Sequence, residues 1–228
     1  MNKGKTKKIG LIVPSSNTVM EPDFYRSLPE DITLHTARMY LKEVTINTEV
    51  RMLDEYTLPA ARDLATISPD VVVFGCTSAS ALRGIAYEEQ LIEEISQACG
   101  APAVSVSRAV RETLKKMKAR QLVVVTPYID ALNERIRSSL EQAAFEVLNL
   151  VGLGILENTN IAEVAGEEIL QLAQKAINGY QPDALFVSCT NFPAVRVISE
   201  LRTLFDFPVT TSNQAVLERT LDIFHKSS

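Results

Sequence analysis

The residues best suited to chemistry in this chain are two cysteines. Cys76 closes the run Pro69-Asp70-Val71-Val72-Val73-Phe74-Gly75, Cys189 closes Pro182-Asp183-Ala184-Leu185-Phe186-Val187-Ser188, and a threonine follows each. They lie 113 positions apart, and segments 9–15 and 122–128 repeat at the same offset, each containing a proline 62 positions before its cysteine. A lone cysteine at the end of an apolar strand usually packs as a small hydrophobe. A matched pair in a chain that doubles its own plan points instead to a pseudo-twofold site with one thiol on each side. Two opposed thiols can move protons on both faces of a carbon, or one can attack while the other handles protons. Cys99 has no such partner and is expected to be structural.

Other chemistries find little support. The only histidines are His35 and His225, and neither shows a metal-ligand spacing. Gly152-Leu153-Gly154 lacks a third glycine at Glu157, so it is no dinucleotide fingerprint, and there is no Walker A sequence. Glu43, Glu49 and Asp54 fall in what looks like an ordinary helix rather than a carboxylate pair.

Short apolar, β-branched runs that alternate with helical patterns must position the thiols. Strands are expected at 8–13, 33–40, 71–75, 103–107, 122–126, 146–151, 184–188 and 209–211. Helices are expected at 48–66, 87–98, 109–118, 129–142, 161–178, 193–204 and 214–225. This alternation predicts an α/β fold of two pseudo-symmetric parallel-sheet halves. The first half would run over 1–118 and the second over 119–212, with the C-terminal helix 213–228 free to pack back on the first half. Ligands of open parallel sheets bind beyond the carboxyl ends of the strands. There the sequence places Pro14-Ser15-Ser16-Asn17, Cys76-Thr77-Ser78, Pro127-Tyr128 and Cys189-Thr190-Asn191. If the halves face each other, these groups meet in one cleft with no charged side chain among them. Hydroxyls, amides and backbone N–H groups at helix starts suit a carboxylate. Tyr128 stands where Ser15 stands in the first half, either as a half-buried aromatic or as a phenol that donates to a bound carboxylate. Asn17, in Asn17-Thr18-Val19-Met20-Glu21, is either a helix cap or a ligand group, and Asn158 or Asn160 could cap a helix from Ile161.

The bulk numbers bound the class. The chain has 228 residues, 46% hydrophobic and 22% charged, with a net charge of −5. That is a globular composition, with no electrostatic reason to expect nucleic acid or an anionic membrane as partner. Lys3, Lys5, Lys7 and Lys8 are expected to form a solvated basic tail. No apolar run approaches the roughly 18 residues of a membrane span, and the first one is too short for a signal-peptide core. Three cysteines make no disulfide framework, so free thiols in a reducing cytoplasm are expected.

At this level the chain resembles the aspartate/glutamate racemase superfamily nearly end to end, and within it the maleate cis-trans isomerases and arylmalonate decarboxylase. Val13-Pro14-Ser15-Ser16-Asn17-Thr18, Ser188-Cys189-Thr190-Asn191-Phe192 and Val209-Thr210-Thr211-Ser212-Asn213-Gln214-Ala215 look like maleate isomerase signatures. Tyr128-Ile129-Asp130-Ala131-Leu132-Asn133-Glu134-Arg135 resembles the decarboxylase. The decarboxylase carries glycine where this chain has Cys76, which counts against decarboxylation. The resemblance implies a site between two α/β halves, no cofactor and no metal, a small dicarboxylate substrate, and compatibility with a homo-oligomer. It implies Cys76 as nucleophile and Cys189 as acid/base partner. Asn17, Thr77, Ser78, Tyr128, Asn158, Thr190 and Asn191 would hold the carboxylates. The expected reaction is isomerisation of maleate to fumarate. A two-cysteine amino-acid or hydantoin racemase, an arylmalonate-type decarboxylase and a non-catalytic dicarboxylate binder are the alternatives.

Overall fold

The computed structural model describes residues 6–226. Lys3 and Lys5 of the expected basic tail lie outside the described residues. Lys7 and Lys8 are not tail but the start of the first strand. The Lys8 ammonium donates to the Ile67 carbonyl (2.7 Å), and that of Lys7 lies 5.0 Å from the centre of the Phe224 ring.

Eight strands form two four-stranded parallel sheets. The first is built from β1 (Lys7–Pro14), β2 (Ile32–Met39), β3 (Val71–Phe74) and β4 (Ala103–Ser105) in the order β2-β1-β3-β4. The second repeats it with β5 (Gln121–Thr126), β6 (Glu146–Gly152), β7 (Ala184–Val187) and β8 (Val209–Thr211) in the order β6-β5-β7-β8. The central strands β3 and β7 are buried along their whole length, as unbroken Val-Val-Val-Phe and Ala-Leu-Phe-Val runs require when helices cover both faces. In each sheet the order reverses between the first and third strands of the half, and the carboxyl end of the third strand carries the cysteine loop.

The helices are α1 (Met20–Tyr25), α2 (Ile46–Arg51), α3 (Thr57–Ala65), α4 (Thr77–Ala81), α5 (Ile85–Cys99), α6 (Val106–Lys116), α7 (Asp130–Gln142), α8 (Asn158–Ala162), α9 (Gly166–Ile177), α10 (Ile198–Leu204) and α11 (Ser212–Lys226). Several boundaries differ from the sequence reading, each for a local reason. The strand expected to reach residue 107 stops at Ser105, because the Ser105 hydroxyl accepts the Arg108 N–H (3.2 Å) and starts α6 at Val106. The helix expected from 48 starts at Ile46, where Thr45 and Thr48 form a reciprocal cap, and a π-turn at Met52–Tyr56 joins α2 to α3. The helix expected over 161–178 is two helices, α8 and α9. The short α1 and α4, each directly after a cleft loop, carry no pattern long enough to read in sequence. The last helix, α11, leaves β8 and packs against α6 and β4 of the first half.

Candidate active site

The nine residues singled out in sequence, Asn17, Cys76, Thr77, Ser78, Tyr128, Asn158, Cys189, Thr190 and Asn191, line one cavity between the two sheets. Pro14, Leu41, Val44 and Glu49 complete its wall. The space left is about 10 Å³, close to the roughly 10–15 Å³ that one water needs. Leu41 and Val44 close it from the β2–α2 connection. That connection is fastened across to the second half by Val44 N–H to the Leu156 carbonyl (2.8 Å) and Asn158 N–H to the Lys42 carbonyl (3.1 Å). A molecule larger than a water does not fit in the cavity as it stands.

Cys76 sits in extended backbone (φ −139°) immediately before α4, and it is buried. Gly75 is required just before it. A Cβ there would lie 2.8 Å from the Met20 sulfur and 3.0 Å from the Ile12 carbonyl oxygen, so only glycine lets the loop turn this close to β1. The Cys76 sulfur is 3.9 Å from the Ser78 hydroxyl. Burial pushes the thiol well above its ordinary range, the nearby Glu49 carboxyl adds to this, and the Ala79 N–H opposes it.

Cys189 is held differently. Its φ is +105°, a region costly for a side chain with a Cβ. Its N–H donates to Ser212 (3.0 Å) and its sulfur accepts the Asn191 N–H (3.3 Å). Burial raises this thiol to about 11, with the Tyr128 hydroxyl presented to it and the Asn191 N–H working in the other direction. Tyr128 is 2% exposed, so it is fully rather than half buried. Burial and the two thiols hold its phenol well above the usual tyrosine range, so it stays a donor.

Paired bonds stitch the halves together around the thiols. Asn17 Nδ2 donates to Thr190 Oγ1 (3.0 Å), which in turn donates to the Gly75 carbonyl (3.1 Å). Thr18 N–H donates to Asn191 Oδ1 (2.9 Å), and Thr77 Oγ1 to Ser212 Oγ (3.0 Å). Asn158 Nδ2 donates to Ser16 Oγ (2.8 Å), and its carbonyl accepts Asn191 Nδ2 (2.6 Å). Asn17 Oδ1 accepts the N–H groups of Val19 and Met20 (both 3.0 Å), so Asn17 caps α1 while it faces the cavity. Arg38 steadies the same loop through the carbonyls of Ser15 (3.0 Å) and Asn17 (2.9 Å). Asn160 is exposed and outside the cavity wall, and Cys99 lies elsewhere, its thiol donating to the Ala61 carbonyl (3.0 Å).

One expectation fails. The cleft was expected to hold no charged side chain, and Glu49 to belong to an ordinary helix. Glu49 is 0% exposed, lines the cavity and accepts a hydrogen bond from the Ser78 hydroxyl. Burial raises its carboxyl from 4.5 to about 8, against the effect of the Ser78 bond. The signal was present in the sequence. The helical spacing that buries Met52, Leu53, Thr57, Ala60, Ala61 and Leu64 runs back to Glu49. A glutamate on a buried stripe is rarely there for solvation. Among the described residues no cluster of three or more histidine, cysteine or acidic side chains could hold a metal ion, and no helix is long and apolar enough to cross a membrane.

A two-sheet cleft with one cysteine on each wall can be set beside known proteins. The arylmalonate decarboxylase family model matches residues 9–225. The chain belongs to this family. Among curated relatives, a maleate isomerase of Pseudomonas putida is 32% identical over 167 residues, which covers 68% of this chain and 66% of that protein. A maleate isomerase of Geobacillus stearothermophilus is 25% identical over 228 residues, covering 94% of this chain and 90% of its own. The fold is shared with the Nocardia farcinica maleate cis-trans isomerase, solved as a cysteine-to-serine variant with a covalently bound succinylcysteine intermediate. That structure has a TM-score of 0.88 at 23% identity and covers 95% of this chain and 91% of its own.

Proposed function

We propose that this protein is a cofactor-independent isomerase of a small dicarboxylate, converting maleate to fumarate through its cysteine pair. The observation that carries this reading is the convergence of two buried, free cysteines on one cavity whose other polar groups are mostly neutral donors. The Cys76 thiolate adds to one carbon of the double bond. Charge passes into the adjacent carboxylate as an enediolate, where the Tyr128 hydroxyl and the backbone N–H groups of the cysteine loops stabilise it. The former double bond is now single and rotates. The thiolate is then expelled to give the trans product. Cys189, on the opposite wall, supplies and removes the proton that a long-lived adduct would need. The intermediate has the connectivity of the succinylcysteine in the Nocardia farcinica structure. Every step uses side chains and backbone of the chain itself, so no cofactor is called for. Thiols kept reduced fit a cytoplasmic setting.

Asn17, Thr77, Ser78, Asn158, Thr190 and Asn191 complete the carboxylate-holding wall in this reading. Their present bonds to one another are the ones a substrate carboxylate would replace. The presence of thiols on both walls also suits a two-base racemase, which uses the same pair without covalent addition. Proton NMR of the purified protein with maleate, L-aspartate, L-glutamate, a hydantoin and a malonate separates the readings. Fumarate signals from maleate alone are expected. Exchange of an α-proton with no change in maleate would overturn the isomerase reading in favour of racemisation.

A further inference from the structure

Glu49 has no part in the mechanism above, yet it is the one ionisable carboxyl in the cavity wall. Its Oε1 accepts the Ser78 hydroxyl, while Oε2 is buried with no hydrogen-bond partner among the described residues. The Ser78 hydroxyl also pairs with the Cys76 sulfur, at 3.9 Å, where either atom can donate. A hydroxyl has one proton to give and lone pairs to spare. With its proton aimed at Glu49, Ser78 can accept one from the thiol. Cys76, Ser78 and Glu49 thus form a continuous chain from nucleophile to carboxyl.

We propose that Glu49 is the proton acceptor that activates Cys76 through Ser78. In this step the S–H bond of Cys76 breaks with its electron pair left on sulfur, and the proton passes to Ser78 Oγ. The Ser78 proton passes to Glu49 Oε1. Carboxylate and thiol become carboxylic acid and thiolate, with net charge unchanged, and the movement reverses when the thiolate is regained as thiol. Because a single negative charge is relocated inside the buried site, the step avoids the cost of two anions held side by side. Burial lifts Glu49 to about 8, which brings it nearer than an ordinary carboxylate to the Cys76 thiol that burial also raises. The ionisable groups that interact with Glu49 across the cavity are Cys76, Cys189 and Tyr128. None is a cation, so no fixed positive charge competes for its proton-accepting role. Glu49 acts through Ser78 and is therefore a positioning residue rather than one in contact with the reacting carbon.

This inference rests on the reading of Cys76 as the nucleophile, and its test does not need substrate. The rate of Cys76 alkylation by iodoacetamide, an uncharged reagent, is followed against pH by peptide mass spectrometry. The wild-type rate should rise through an inflection near 8. In Glu49→Gln that inflection should move upward by more than a pH unit, with at least a tenfold loss of rate at pH 8. Ser78→Ala should do the same, and the double variant should be no slower than the slower single, because both remove one relay. If Glu49→Gln instead alkylates faster at pH 8, the carboxylate merely suppresses the thiolate and the relay is overturned. Additive losses in the double variant would overturn it too. Should Glu49→Gln fail to fold by circular dichroism, Ser78→Ala decides alone, and an unchanged inflection there rejects the proposal. Absence of maleate turnover in the wild type would count against the isomerase reading and leave this result standing.

Discussion

The two cysteine corners occupy equivalent points of a duplicated plan, and they hold sulfur in opposite ways. At Cys76 the backbone is relaxed and a helix starts at the next residue, while the sulfur meets a serine that leads to a buried carboxyl. At Cys189 the backbone is forced to φ +105°, a turn follows instead of a helix, and the sulfur is met by an amide and a phenol. The first corner has a route by which a proton can leave. The second has donors that settle the sulfur where it is. Duplication therefore accounts for where the two thiols stand, whereas the residues just after each one, and a single glutamate from α2, account for how they differ.

The largest consequence of that asymmetry should appear in turnover. Cys76→Ser is expected to lower kcat for maleate by roughly a thousandfold or more, since serine is a far weaker nucleophile at neutral pH. Cys189→Ser should slow the reaction and accumulate an adduct of substrate mass on Cys76. Peptide mapping by mass spectrometry locates it, and an adduct found on Cys189 in the wild type would exchange the two roles.

Stability against pH comes next, because the Cys76 corner carries a fully buried carboxyl in the cavity wall. Glu49 is raised in the folded state from 4.5 to about 8. The unfolded chain therefore ionises first. The stability contributed by the neutral buried acid is complete below pH 4.5 and is lost as pH rises towards 8. At about 1.4 kcal/mol per pH unit, the loss is on the order of 5 kcal/mol. Denaturant unfolding at pH 4.5 and 8.5 should show Glu49→Gln gaining on the wild type across that window. A constant difference between them would mean that Glu49 folds as a carboxylate.

Tyr128 tests the donors of the second corner. Tyr128→Phe keeps the ring and removes one hydrogen bond to a charged group, worth about 1.5–3 kcal/mol, and so should reduce kcat/KM about ten- to 150-fold. Steady-state kinetics at the wild-type values would leave the phenol with a packing role alone. The smallest effect concerns backbone strain. Glycine adopts the Cys189 conformation freely, so Cys189→Gly should be more stable than Cys76→Gly by about 1–3 kcal/mol. Thermal melts of the two variants check this, and equal melting temperatures would show that φ +105° stores nothing.

Much of the architecture was legible because both sheets are buried on both faces, which writes them as uninterrupted apolar runs such as Val71-Val72-Val73-Phe74. The nine cavity residues were legible for a topological reason, since all but Asn158 follow the carboxyl ends of strands flanking the order reversal. Glu49 was legible only as one position on the buried stripe that runs through α2 and α3, because what it meets there, the Ser78 hydroxyl beside Cys76, is set by how α2 packs on α4 and not by the helical count. Leu41 and Val44 were missed because they lie in a connection with no period at all. The strain at Cys189 has no sequence mark either, since cysteine is an ordinary residue and only its φ is unusual.

The return of α11 bears on how the chain comes to be folded at all. This helix is made after every other described element, yet it covers α6, β3 and β4 of the half made first. During synthesis the first sheet can form its ladders, but the part of β3 and β4 that α11 covers stays bare until residues 212–226 have been threaded out. The nascent first half is therefore a sticky, unfinished intermediate rather than an independent folding unit. Completion of the first half waits on the emergence of α11, and the active-site cleft, which needs both sheets, is assembled in the same late step.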